Sequence, residues 1–151
     1  MLPLALLLFA SMLALADTRQ ELIDVFGAMA SALSEGNPAV FLRAVDPSMP
    51  GYARFTGAVK ALAAQNDVSS SIEIGKQQGD GRVQTVELDW LLEIRGKDQS
   101  HLFVQRQTTL KCRLERRGGK WRVVSLEPAS FFAPEWIRAN DARAMINSAR
   151  Q

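Results

Sequence analysis

From Leu22 to Leu33 the apolar residues Leu22, Val25, Phe26, Met29, Ala30 and Leu33 recur every three or four positions, the spacing of one helix face. Thr18 and Glu21 stand ahead of them with the spacing of a capping box, and Gly36 is placed to stop the helix. Asn37-Pro38 predicts a second, short helix, with Asn37 as N-cap, Pro38 in the first turn, and Val40, Phe41 and Ala44 or Val45 on its apolar side. Pro47, Pro50 and Gly51 break it. Phe55, Val59 and Leu62 then predict a third helix from about Tyr52 to Gln65.

After Asn66-Asp67 the period changes to two, the mark of strands. Val68, Ser70, Ile72 and Ile74 share one face of a first strand, and Val86, Leu88, Trp90, Leu92 and Ile94 one face of a second. A third strand places Leu102, Val104, Arg106, Thr108, Leu110, Cys112 and Leu114 on that face, and a fourth adds Trp121, Val123 and Ser125. Turns at Gly79-Asp80-Gly81, at Gly96 to Ser100 and at Gly118-Gly119 join them. Counted across these turns, Ser70 falls opposite Trp90, Trp90 opposite Arg106, and Leu114 opposite Val123. Pro134 ends the sheet, and residues 135–151 predict a helical tail with Trp136, Met145, Ile146 and Ala149 as its weak apolar stripe.

Helices followed by consecutive long strands predict an α+β domain. Its three N-terminal helices pack in the concave face of a curved four-stranded antiparallel meander, because the sheet's apolar face needs cover and a long sheet coils. The result is a cone with an open end.

Residues 1–16, MLPLALLLFASMLALA, carry no charged side chain and end in the small-x-small pattern Ala14-Leu15-Ala16. A membrane-spanning helix takes about 20 apolar residues, more than this run supplies. It reads as a signal peptide cut after Ala16, leaving no stable membrane anchor, and the mature domain of residues 17–134 is expected to be exported, periplasmic or secreted. The missing Lys or Arg near the start departs from the usual signal, so an uncleaved anchor and a buried first helix remain as alternatives. No cysteine follows the run, which excludes a lipoprotein anchor.

A net charge of +2 is too small to argue for nucleic acid, and the cations Lys111, Arg113, Arg116, Arg117, Lys120 and Arg122 on one hairpin read as a solvated edge. The single cysteine, Cys112, admits no intramolecular disulfide; it is either buried or free to pair between chains. One histidine and one cysteine make no closed zinc site, and nothing in the chain requires a metal or cofactor.

The cross-strand count puts Ser70, Trp90 and Arg106 in one row of an otherwise apolar face, with Thr108 one step along. A guanidinium there is costly unless paired or stacked. Two readings stand. Ser70, Trp90, Arg106 and Thr108, with Tyr52 at the mouth, could line a cavity for a small apolar or anionic molecule; or Arg106 reaches water or pairs with Asp46 or Asp67. Glu127, inward if no bulge intervenes, and His101, beside a turn and facing outward, are the two weak candidates for a general base. Leu91 and Phe103 point outward on neighbouring strands, a candidate homodimer patch.

The stretch ELIDVFGAMASALSEGNPAVFLRAV, the break DPSMPGY and the closing hairpin GGKWRVVSLEPASFF resemble the nuclear-transport-factor-2-like superfamily, the cystatin-like cone or SnoaL-like domains, from about Thr18 to Pro134. The resemblance implies a cone fold. Its members include ketosteroid isomerase, scytalone dehydratase and polyketide cyclases beside non-enzymatic binding and dimerisation domains. The catalytic members use an inward Asp or His, often as a pair, whereas the inward strand positions here carry no carboxylate before Glu127. The reading is therefore a non-catalytic domain that binds a small molecule or assembles as a homodimer; the alternative is a cofactor-free lyase or isomerase.

Overall fold

The computed structural model describes residues 4–98 and 101–150, with side chains described for 17–98, 101–136, 138 and 143–150. Positions 99–100 of the turn expected from Gly96 to Ser100, residues 1–3 of the stretch expected to be a signal peptide, and residue 151 of the expected tail lie outside the described residues.

Helix α1 (Leu4–Ser34) runs through position 18 without a break. Thr18 is therefore inside a helix instead of capping one. Gly36 ends it at φ 70°, a left-handed turn in which its N–H reaches the Leu33 carbonyl and the Asn37 N–H reaches that of Ala32. Asn37 caps α2 (Pro38–Arg43) by accepting from the Val40 N–H at 3.2 Å. Helix α3 (Tyr52–Gln65) spans the predicted residues.

Strands β1 (Asn66–Gly79), β2 (Val83–Gly96), β3 (Phe103–Arg117) and β4 (Lys120–Glu127) form one antiparallel sheet in chain order, the expected meander. Gly79 holds φ 142°, and a Cβ there would lie 2.1 Å from the Val83 carbonyl oxygen, so the first hairpin requires glycine at that point. Asp80 completes the turn, its Oδ1 accepting from the N–H groups of Arg82 and Val83. The loop after α2 guards the free edge of β4: Asp46 donates its N–H to the Val123 carbonyl, and Val123 donates to Ala44. After β4 the chain passes a cis Glu127–Pro128 bond, makes a 3-10 turn (Ala129–Phe132) and ends in α4 (Glu135–Ala149).

The register corrects the sequence count. Trp90 lies opposite Ile72 and Thr108, while Ser70 and Arg106 both lie opposite Leu92. The expected Ser70–Trp90–Arg106 row is thus displaced by two residues, which preserves the face on which each side chain stands. Leu114 pairs with Val123 as expected. Two bulges intervene. One sets two residues between Ile74 and Gln77 of β1 against the single Glu87. The other, between Val123 and Ser125 of β4, turns Leu126 inward against Cys112 and puts Ser125 beside Arg113 and Glu127 beside Lys111 on the outer side.

The core lies between the concave face of the sheet and the helices. Leu22, Phe26, Met29 and Leu33 of α1, Phe41 of α2, and Phe55, Val59 and Leu62 of α3 meet Val86, Leu88, Trp90, Leu92, Leu110, Cys112 and Leu114 of the sheet. The stripe expected on α4 stays largely in water: Trp136, Met145 and Ile146 are exposed, although the Trp136 indole N–H reaches Gln65 Oε1 at 3.2 Å.

Candidate functional site

The concave interior of the cone is the natural place for a site, and the chain's own aromatic side chains occupy it. Phe132, from the 3-10 turn, is fully buried among four rings. Its centroid lies 4.9 Å from Trp90 and 5.2 Å from Phe41, with Phe55 at 6.1 Å and Phe131 at 5.1 Å, mostly edge to face. Strand alternation does not single out Phe131 and Phe132, because it ends with the sheet. The available signal was simpler: two adjacent phenylalanines after a proline cannot both face water at no cost.

Trp90 is fully buried, and its indole N–H donates to Ser70 Oγ at 2.6 Å. The structure therefore joins Ser70 to Trp90, diagonally across the two strands. Arg106, only 5% exposed, faces inward as expected, but its partners are neither Asp46 nor Asp67. Nη1 donates to the carbonyls of Phe131 at 2.7 Å and Ala133 at 2.6 Å, and Nε and Nη2 both reach Glu135 Oε1. Burial presses the guanidinium pKa below its usual value and Glu135 offsets this, so Arg106 stays charged and spends its hydrogen bonds on the segment that carries Phe132. Thr108 is half-buried beside Arg106 in a cleft of about 340 Å³ whose other side is Ser130, Glu135 and Arg138. Tyr52 is half-buried at the start of α3, packed on the core. The five residues expected to share one cavity are thus divided among the filled interior, this cleft and the edge of the core.

Glu127, expected inward only without a bulge, is exposed on the outer side because the β4 bulge turns it there. His101 is exposed at φ 53°. Among the described residues no three His, Cys, Asp or Glu side chains converge. Leu91 and Phe103 both stand on the convex face but two rows apart, with Glu93 and Gln105 between them; Arg95 lies over the Phe103 ring at 4.6 Å.

Of the further clefts outside the cone, two bear on binding. One, of about 270 Å³, opens between the start of α3 and the 3-10 turn, lined by Gly51, Phe55, Ala58, Ala129 and Ala133 with Arg54 at its edge. The larger, about 610 Å³, runs between α1, α2 and the β3–β4 hairpin. In its wall the Trp121 indole N–H donates to Glu21 Oε2 at 2.6 Å and Arg116 Nη2 reaches the same oxygen at 2.7 Å, its guanidinium lying 4.5 Å over the indole ring. These two hydrogen bonds, Trp121 first, hold the Glu21 carboxyl below its usual pKa.

No family model and no curated protein sequence matches the chain. Solved structures do. A conserved protein from Planctomyces limnophilus superposes with a TM-score of 0.67 at 9% identity, over 74% of this chain and 94% of its own. A nuclear-transport-factor-2-like protein of unknown function from Shewanella oneidensis gives 0.61 at 10% identity, over 72% and 96%. A ketosteroid isomerase-like protein from Erwinia carotovora atroseptica gives 0.59 at 11% identity, over 71% and 91%.

Proposed function

On the nuclear-transport-factor-2-like fold that this chain has, we propose a non-catalytic, exported binding domain whose cone is closed on itself and which takes its ligand from outside the cone. The observation that carries this reading is Phe132, seated at the centre of the interior among Trp90, Phe41 and Phe55 and tied there by Arg106. A lyase or isomerase needs an acid or base within about 3 Å of the reacting atoms. Glu127 faces outward and His101 is exposed, so neither candidate reaches the interior. A small ligand is favoured over a homodimer partner because Leu91 and Phe103 make no continuous patch.

Export is supported by the uncharged apolar run that ends in the small-x-small pattern at Ala16. N-terminal sequencing of exported protein should begin at Asp17; Met1 retained on membranes would replace export with anchoring.

The closed cone is tested with toluene, a neutral apolar probe, followed through the Trp90 indole N–H resonance. Wild-type protein should not respond. Phe132→Ala removes a fully buried ring, should cost about 3–5 kcal/mol of stability, and should admit toluene beside Trp90; Phe132→Leu is the milder version should the alanine variant fold poorly. A wild-type response at Trp90 would sink the reading.

A further inference from the structure

We propose that the groove between α1, α2 and the β3–β4 hairpin binds an amphipathic anion, a carboxylate carried on a short alkyl or aryl body. This names a ligand class for the binding domain proposed above and rests on that reading. At about 610 Å³ the groove has the size that holds a small ligand. Its floor is apolar, with Val25 and Ala28 from α1, Val40 from α2 and Ala44 just after it. Beside that floor, the Trp121 indole is fixed by Glu21 and covered by Arg116.

The charges sort into two sets. Glu21 and Arg116 satisfy each other at 2.7 Å. Arg43, Lys120 and Arg122 line the rim, and among the described residues none of the three stands in an ion pair. Arg122 is held at the mouth by donating Nη1 to the Arg43 carbonyl. The remaining acid is Asp24, whose Oδ1 accepts from Gln20. Three cations against one carboxylate leave this rim two charges positive. A wholly polar anion would gain nothing from the floor, and a neutral hydrocarbon nothing from the rim. The two together select a molecule with both parts. The apolar side chains and the cations line one groove of about 610 Å³, a volume that fits a single small molecule, and the vesicle arm of the test below reads the alternative of a lipid surface.

The test uses decanoate, decanol and decylammonium at concentrations below micelle formation, followed through the indole N–H resonances. The reporters separate because each indole has its own acceptor: Ser70 for Trp90, Glu21 for Trp121 and Gln65 for Trp136. Decanoate should move Trp121 saturably, and decanol and decylammonium should bind at least about tenfold more weakly. The double variant Arg43→Glu/Lys120→Glu alters two exposed side chains. It should lose about tenfold or more in decanoate affinity with its Trp90 and Trp136 signals unmoved; Lys120→Ala gives the same direction with less change. Equal responses to decanoate and decanol overturn the proposal, as does binding that appears only as co-sedimentation with phosphatidylglycerol vesicles. Silence at both Trp121 and Trp90 overturns this site alone, whereas a response at Trp90 with Trp121 silent overturns the site and the closed cone together.

Discussion

Arg106 and Glu135 meet through two guanidinium nitrogens on one carboxylate oxygen, Nε at 2.9 Å and Nη2 at 2.6 Å, across 29 positions of sequence. The pair joins the first part of β3 to the first residue of α4. Because Arg106 also caps the carbonyls of Phe131 and Ala133, one side chain fixes both ends of the segment that inserts Phe132 into the cone. A charge on the concave face is tolerable here because each of its three nitrogens has an oxygen acceptor.

Arg106→Ala should therefore destabilise the domain. It leaves two carbonyls without their donor, worth about 1–3 kcal/mol. The loss of the Glu135 contact adds less, because that carboxylate side chain is 36% exposed and screened by water. Arg106→Lys keeps the charge but not the fork and should recover only part of the loss. Urea unfolding reads this directly, and an unchanged midpoint for the alanine variant would mean that the segment is held by its phenylalanines alone.

How much of this was legible in the sequence depends on the range of the signal. The Asn37 cap, the Tyr52–Gln65 helix and the strand order are short-range features, and each follows from residues within one turn or one hairpin. The inward face of Arg106 was legible too, since a register slip of two leaves alternation intact. The bulge at Val124 was not, because no residue type announces it, and a slip of one moved Glu127 to the other side. Nor does alternation say anything about residues beyond the sheet. From sequence Glu135 is the start of a tail and Phe132 belongs to no strand face, yet these two complete the interior.

Cys112 is 1% exposed, and burial raises its thiol pKa to about 12. The native thiol should react slowly with a disulfide reagent and the unfolded thiol quickly. In the unfolded chain it ionises near the usual value of about 8.5. Its contribution to stability is complete below that pH and is lost as pH rises toward about 12. Alkaline unfolding should accordingly be shallower in Cys112→Ala than in the wild type over that interval. Rapid native labelling would contradict the inward placement of Cys112 opposite Val86 and Leu126.

Glu21 offers the complementary acid-side test. Its folded pKa is lowered, first by the Trp121 indole N–H and then by Arg116. A carboxylate lowered on folding stabilises above its unfolded pKa, about 4.3, and that stabilisation is lost as pH falls through the lower folded value. The wild type should therefore exceed Glu21→Gln in stability at neutral pH, and the two should converge as the solution is acidified through and below the ordinary carboxylate range. The neutral-pH difference should be at most about 1 kcal/mol, because the Arg116–Glu21 pair is partly exposed and screened. Salt should shrink it further. Glu21→Ala should cost more, since it also leaves the nearly buried Trp121 N–H without an acceptor. The Trp121 indole resonance supplies the control: it should shift in both variants while the Trp90 resonance, bonded to Ser70 inside the cone, stays where it is. A pH profile for Glu21→Gln that parallels the wild type throughout would show that Glu21 does not titrate with folding, and the fixed indole wall of the groove would lose its anchor.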